Sequence, residues 1–153
     1  MNNSETKIKA RTFKLELSEA DVEKLFYKAG AVGLTPEQLL ENFIADLICG
    51  ERTNGSDERM YAEAWFDRCG FAYMKERTLL NYLIDNSYDI VEFLVLHSSM
   101  NDENVKCSQM AYDEYNETVE GYIKWSKKSN PDIEKEVDNV VDWYANYQNK
   151  INE

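Results

Sequence analysis

The sequence predicts a mainly α-helical protein that opens with one short β-strand and two helices and continues as an acidic helical body. Apolar residues recur with helical spacing over most of the 153 residues, and cap residues precede several of these stretches. Residues 11–17 instead alternate between apolar and polar side chains, as a half-buried strand does. The charge is also uneven along the chain. Residues 1–14 carry a net charge of +3, and the remaining 139 residues carry a net charge of −15.

The predicted strand has one apolar and one polar face. The apolar face consists of Phe13, Leu15 and Leu17. The polar face consists of Thr12, Lys14 and Glu16. A single strand leaves its backbone N–H and C=O groups without partners. We therefore expect a second copy of the chain to supply the partner strand.

Two capped helices are predicted after the strand. The first is expected to start after Ser18 and to end at Gly30. The second is expected to start after Thr35, with Pro36 at its first position, and to end at Gly50. Its apolar face is wider than a unit of about 40 residues can bury alone, so we expect a dimer. The expected dimer core consists of Phe13, Leu15, Leu40, Phe43 and Leu47.

The order of strand, capped helix, glycine turn and capped helix resembles the ribbon-helix-helix family, and the likeness covers residues 9–50. The resemblance implies that the paired strands enter the major groove of DNA and that backbone N–H groups of Leu34 and Thr35 hold a phosphate. The implied DNA-contact residues are Lys9, Arg11, Thr12, Lys14, Glu16 and Thr35. Glu16 departs from this role because nearby phosphates repel a carboxylate. The ribbon therefore either contacts DNA or serves dimerisation alone.

Three regions are expected: a flexible arm at 1–8, the ribbon-helix-helix unit at 9–50, and the acidic helical body at 51–153. In the last third, apolar residues at 4-3 spacing on both sides of Pro131 predict an antiparallel helical hairpin over 102–152. The predicted protein-partner residues on its outward face are Glu117, Glu120, Glu134 and Asp138. This face is either simply solvated or shaped to meet a basic protein groove.

The sequence contains no pattern typical of a catalytic, metal or cofactor site. His97 is the only histidine, and its apolar surroundings favour a hydrogen-bonded core or helix-end residue. Cys49, Cys69 and Cys107 are too scattered for a zinc set or a disulfide frame. We therefore expect a protein that is not an enzyme and binds no metal or cofactor. Without a secretion signal or an apolar run of about 20 residues, we also expect a soluble cytoplasmic protein with no membrane contact.

In type, the whole chain resembles the small accessory proteins of phages and mobile elements of Firmicutes, including anti-CRISPR inhibitors of type II effector nucleases. Such nucleases hold nucleic acid in a positively charged channel. An acidic surface suits that channel, while the ribbon would add a contact to double-stranded DNA. The expected function is therefore inhibition of a CRISPR effector nuclease or another protein with a basic surface. The alternative is a ribbon-helix-helix transcriptional regulator or antitoxin-like repressor.

Overall fold

Eight helices make up the regular structure of residues 8–153, the part of the chain that the computed structural model describes. They are α1 (Glu19–Gly30), α2 (Pro36–Leu47), α3 (Ser56–Arg68), α4 (Gly70–Tyr73), α5 (Leu79–Asp85), α6 (Ile90–Met100), α7 (Gln109–Ser126) and α8 (Ile133–Asn152). The predicted mainly helical class is confirmed. The chain divides into two compact units, Met1–Lys75 and Glu76–Glu153. None of the described helices is both long enough and apolar enough to cross a bilayer.

The strand predicted at 11–17 is not formed. Residues 8–18 adopt neither helix nor strand, and the described chain contains no strand elsewhere. A strand exists only with a hydrogen-bonded neighbour, and no segment within residues 8–153 supplies one. The prediction of a strand is therefore wrong for one copy of the chain, because the alternation of side chains supplies no hydrogen-bonding partner. The expected flexible arm at 1–8 lies, except for Ile8, outside the described residues.

Both N-terminal helices begin where their cap residues predict. Ser18 Oγ accepts the backbone N–H of Asp21 at 3.2 Å. Thr35 and Gln38 form a capping box, in which Thr35 Oγ1 accepts the Gln38 N–H at 3.2 Å and Gln38 Oε1 accepts the Thr35 N–H at 2.9 Å. The turn between the helices contains Gly33 at φ +75°, a conformation that favours glycine.

The first unit extends beyond residue 50 and includes α3 and α4, which the sequence places in the acidic body. Here α2 packs against α1 and α3, and α3 packs against α4. Asp46 anchors the polar segment before α3, because its carboxylate accepts the backbone N–H of Asn54 at 2.7 Å and the Asn54 amide at 2.8 Å. Among the described residues of this unit, only two apolar side chains are buried, and both are alanines, Ala29 and Ala62.

The second unit has a larger core, built from four helices. Its buried residues are Leu79, Leu83, Phe93, Tyr122, Val137 and Val140. The two long helices predicted on either side of Pro131 are present as α7 and α8. Each packs chiefly against α5 and α6, however, and not along a seam shared with the other. The reason is that α5 and α6 contribute three of the large buried side chains around which α7 and α8 are arranged.

Candidate interaction surfaces

The predicted DNA-contact residues before α1 lie on an exposed basic segment. Lys9, Arg11, Thr12, Lys14 and Glu16 are all exposed. Residues 8–18 contain three basic side chains and one acidic side chain. In a chain with a net charge of −12, this segment carries a local charge of +2, which attracts a polyanion.

The start of α2 does not present the free backbone N–H groups expected at Leu34 and Thr35. The Leu34 N–H donates to the carbonyl oxygen of Ala29 at 3.0 Å. The Thr35 N–H donates to Gln38 Oε1 at 2.9 Å, and Pro36 has no N–H to offer. A phosphate at this position would have to displace the Gln38 side chain. The capping box that starts the helix therefore competes with the phosphate site implied by the family resemblance.

The residues expected in the dimer core are only partly buried within one copy of the chain. Leu40 and Leu47 are half-buried, whereas Phe13 and Leu15 remain 65% and 59% exposed. Phe43 packs edge-on against Trp65 of α3, with ring centroids 5.5 Å apart. Other large apolar side chains of the first unit, which the sequence assigned to no site, are also exposed: Phe26, Ile48, Tyr61, Phe66, Phe71 and Tyr73. Apolar periodicity could have identified some of them, but periodicity does not show whether a face is covered.

The predicted protein-partner residues lie on α7 and α8 and are exposed. They are Glu117, Glu120, Glu134 and Asp138. Residues 76–153 contain 16 acidic and seven basic side chains, a net charge of −9. Four of the seven basic side chains lie near the start of α5 and the end of α7, namely Arg77, Lys124, Lys127 and Lys128. Arg77 Nη1 joins these two places by donating to the carbonyl oxygen of Trp125 at 2.7 Å. The remaining surface of this unit is consequently more acidic than its net charge suggests.

Glu136 joins three parts of the second unit through a half-buried carboxylate. It accepts the backbone N–H of Leu79 at 2.9 Å and the ammonium group of Lys128 at 3.0 Å. Burial opposes its charge, but hydrogen bonds from Leu79, Lys128 and Tyr122 outweigh burial and lower the pKa of Glu136. Burial first, and then the Glu136 carboxylate, raises the pKa of Tyr122 to about 12. Sequence spacing gave no sign of this network, which ties α8 to the first turn of α5.

His97 lies on α6 beside an open depression of about 590 Å³. Its Nδ1 is 2.7 Å from Tyr115 Oη, and its Nε2 is 3.1 Å from Asn101 Nδ2 and 3.5 Å from Glu134 Oε2. Both ring nitrogens therefore have partners in the protein, as expected of a hydrogen-bonded histidine near a helix end. Over residues 8–153, no group of three or more His, Cys, Asp or Glu side chains is arranged to hold a metal ion.

No family model, curated protein or solved structure matches this chain. The ribbon-helix-helix assignment of residues 9–50 stays a prediction from the order of its elements. The function must accordingly be argued from the surfaces themselves: the basic segment and exposed apolar side chains of the first unit, and the acidic side chains of the second.

Proposed function

We propose that this protein is a non-enzymatic binding protein that dimerises through its first unit and binds a basic protein surface through its second. The observation that carries the proposal is the acidity of residues 76–153, whose net charge is −9. The four predicted partner residues are exposed, so a cationic partner can contact them. Glu117 and Glu120 lie on α7, and Glu134 and Asp138 lie on α8. Complementary charge speeds encounter and excludes acidic partners.

The partner class that fits best is a CRISPR effector nuclease of type II, which the protein inhibits. Such a nuclease binds its guide–target duplex in a positively charged channel that contacts the nucleic-acid backbone. An acidic helical surface seated in that channel competes with the phosphates for the same lysine and arginine side chains. The interaction is electrostatic, so the inhibition weakens as ionic strength rises.

The test is target cleavage by a guide-loaded nuclease with increasing amounts of the purified protein. We expect dose-dependent inhibition that fades with added salt. Reversing the charges of Glu117, Glu120, Glu134 and Asp138 to lysine should abolish most of it. A matched control reverses four exposed glutamates of the first unit, Glu19, Glu23, Glu41 and Glu51, which changes the net charge equally. If both variants lost inhibition equally, only the net charge of the protein would matter. A wild-type protein that inhibits no nuclease subtype would reject the proposal.

The homodimer is supported by the first unit. Leu15 and Leu17 are 59% and 49% exposed and alternate with polar residues, as they would on a ribbon completed by a second copy. Light scattering should give about twice the chain mass of 17.9 kDa. Leu15→Asp should prevent dimerisation because it would bury an unpaired carboxylate, whereas Lys14→Ala on the polar face should leave the dimer intact. A monomer at micromolar concentration would contradict the dimer.

The second candidate function is a DNA-binding regulator, and the basic segment at 8–18 favours it. Replacing both Arg11 and Lys14 by alanine should weaken binding to an operator duplex. Each phosphate contact that is lost should also lower the slope of log K against log salt by about one. The occupied N–H groups of Leu34 and Thr35 count against this function. Tight binding to one operator, without nuclease inhibition, would make the regulator the correct function.

A further inference from the structure

Four aromatic rings form a continuous exposed surface across α2, α3 and α4, here called the aromatic surface. Trp65 contacts Phe43 and Phe71, with ring centroids 5.5 Å and 6.2 Å apart, and Phe71 also contacts Phe66 at 5.4 Å. Each residue remains exposed despite these contacts, from 43% for Phe43 and Phe66 to 60% for Phe71. The first two pairs meet edge-on and the third is tilted, so the four rings contact one another and still leave apolar surface open to a partner.

The size of the aromatic surface approaches one side of a protein interface. A fully exposed aromatic side chain offers about 150–250 Å², so the exposed parts of the four residues amount to roughly 400 Å². Tyr73 and Met74, which are 68% and 74% exposed at the end of α4, bring the summed exposed area of the six residues to roughly 600–700 Å². Monomers seldom expose a contiguous apolar patch beyond about 300–600 Å², whereas a standard interface buries about 800 Å² per partner.

The small core of the first unit indicates what covers the aromatic surface. Its only buried apolar residues among those described are Ala29 and Ala62, so its large apolar side chains must be buried elsewhere for the unit to be stable. A partner on which folding depends has to be present whenever the chain is made. A second copy of the chain always meets that condition, and two-fold homodimers are by far the commonest soluble oligomers.

We propose that the aromatic surface packs against a second copy of the chain, so that the dimer interface runs through α3 and α4 and is not confined to residues 9–50. The proposal deepens the dimer of the proposed function, but it does not depend on the nuclease as a target.

The direct test places a photo-crosslinking benzoylphenylalanine at position 71 of the full-length purified chain. Irradiation should give a covalent dimer, with the crosslink mapping to the first unit of the other copy. The matched control places benzoylphenylalanine at position 112 of the second unit, where Tyr112 is 52% exposed. This control should give little crosslinking. A dimeric protein that does not crosslink from position 71 would overturn the inference, because the dimer would then use another surface.

Dimer affinity gives an independent measure. Trp65→Ser combined with Phe71→Ser should raise the dimer dissociation constant at least tenfold, while Tyr112→Ser should leave it unchanged. Since the double variant could also unfold the unit, Phe71→Leu serves as the conservative case and should retain the dimer. An unchanged dissociation constant in the double variant would reject the inference. Nuclease inhibition is scored separately: its absence in a protein that crosslinks from position 71 would refute the nuclease proposal and leave this interface standing.

Discussion

Removing the Glu136 carboxylate should destabilise the second unit more than removing any exposed glutamate. Its side chain is 13% exposed and accepts hydrogen bonds from the Leu79 N–H and the Lys128 ammonium group. In Glu136→Ala, the Leu79 N–H loses its acceptor within the half-buried start of α5. The same variant also separates Lys128 from its nearest carboxylate.

The expected cost follows from these two losses. A buried donor left without an acceptor costs about 1–3 kcal/mol. Breaking a buried ion pair costs about 3–5 kcal/mol, but the Lys128 side chain is 32% exposed, so solvent screening reduces that figure strongly. We therefore expect Glu136→Ala to lower the free energy of unfolding by about 2–3 kcal/mol. In Glu136→Gln an oxygen remains to accept the Leu79 N–H, and the expected loss is about 1 kcal/mol.

Hydrogen exchange of the amides in 76–153 is the appropriate assay, because it reports the unfolding free energy of the second unit alone. Folding lowers the pKa of Glu136 from its ordinary value of 4.5. The stabilisation is therefore complete above that value and is lost as pH falls through the lowered folded-state pKa. The difference between the wild-type protein and Glu136→Gln should accordingly shrink as the pH falls below 4.5.

The matched control is Glu120→Ala, the same chemical change at an exposed position of α7. It should alter the free energy of unfolding by no more than about 0.5 kcal/mol. If Glu136→Ala proved no more damaging than Glu120→Ala, the network around Glu136 would contribute nothing to stability. A difference between the wild-type protein and Glu136→Gln that grew as the pH fell would contradict the assigned direction of the pKa shift.

Three further predictions concern the packing of each unit. A methyl group at Gly121 would lie well inside van der Waals contact with Tyr82 Oη, so Gly121→Ala should lower the melting temperature. Adding Tyr82→Phe to that variant should partly restore it. Equal melting temperatures of Gly121→Ala with and without the Tyr82 hydroxyl would disprove the clash. Asp46→Ala should release the backbone of Asn54 and expose the segment before α3 to limited proteolysis, which an unchanged cleavage pattern would contradict. Burial raises the pKa of Tyr122 to about 12, and burial also raises the pKa values of Tyr82 and Tyr115. Ultraviolet titration should therefore lose the high-pH signal of one tyrosine in Tyr122→Phe, and an unchanged titration in that variant would show the assignment to be wrong.

The sequence by itself determined where the first two helices begin. The side-chain oxygens of Ser18 and Thr35 each accept the backbone N–H of the residue three positions later. Pro131 lies just before the start of α8. Such signals are local, so they can be recognised from neighbouring residues alone. The sequence also determined the uneven charge along the chain, which supplies the candidate partner residues on α7 and α8.

The tertiary structure decided which faces become buried and which groups meet across the chain. Glu136 and the Leu79 N–H are separated by 57 positions, and no periodicity links residues so far apart. The predicted strand failed for a related reason, because its hydrogen-bonding partner is absent from residues 8–153 of one copy. The apolar spacing of α2 and α3 is the same whether their faces are covered or open, so only the folded chain could reveal that Phe43 and Trp65 remain exposed.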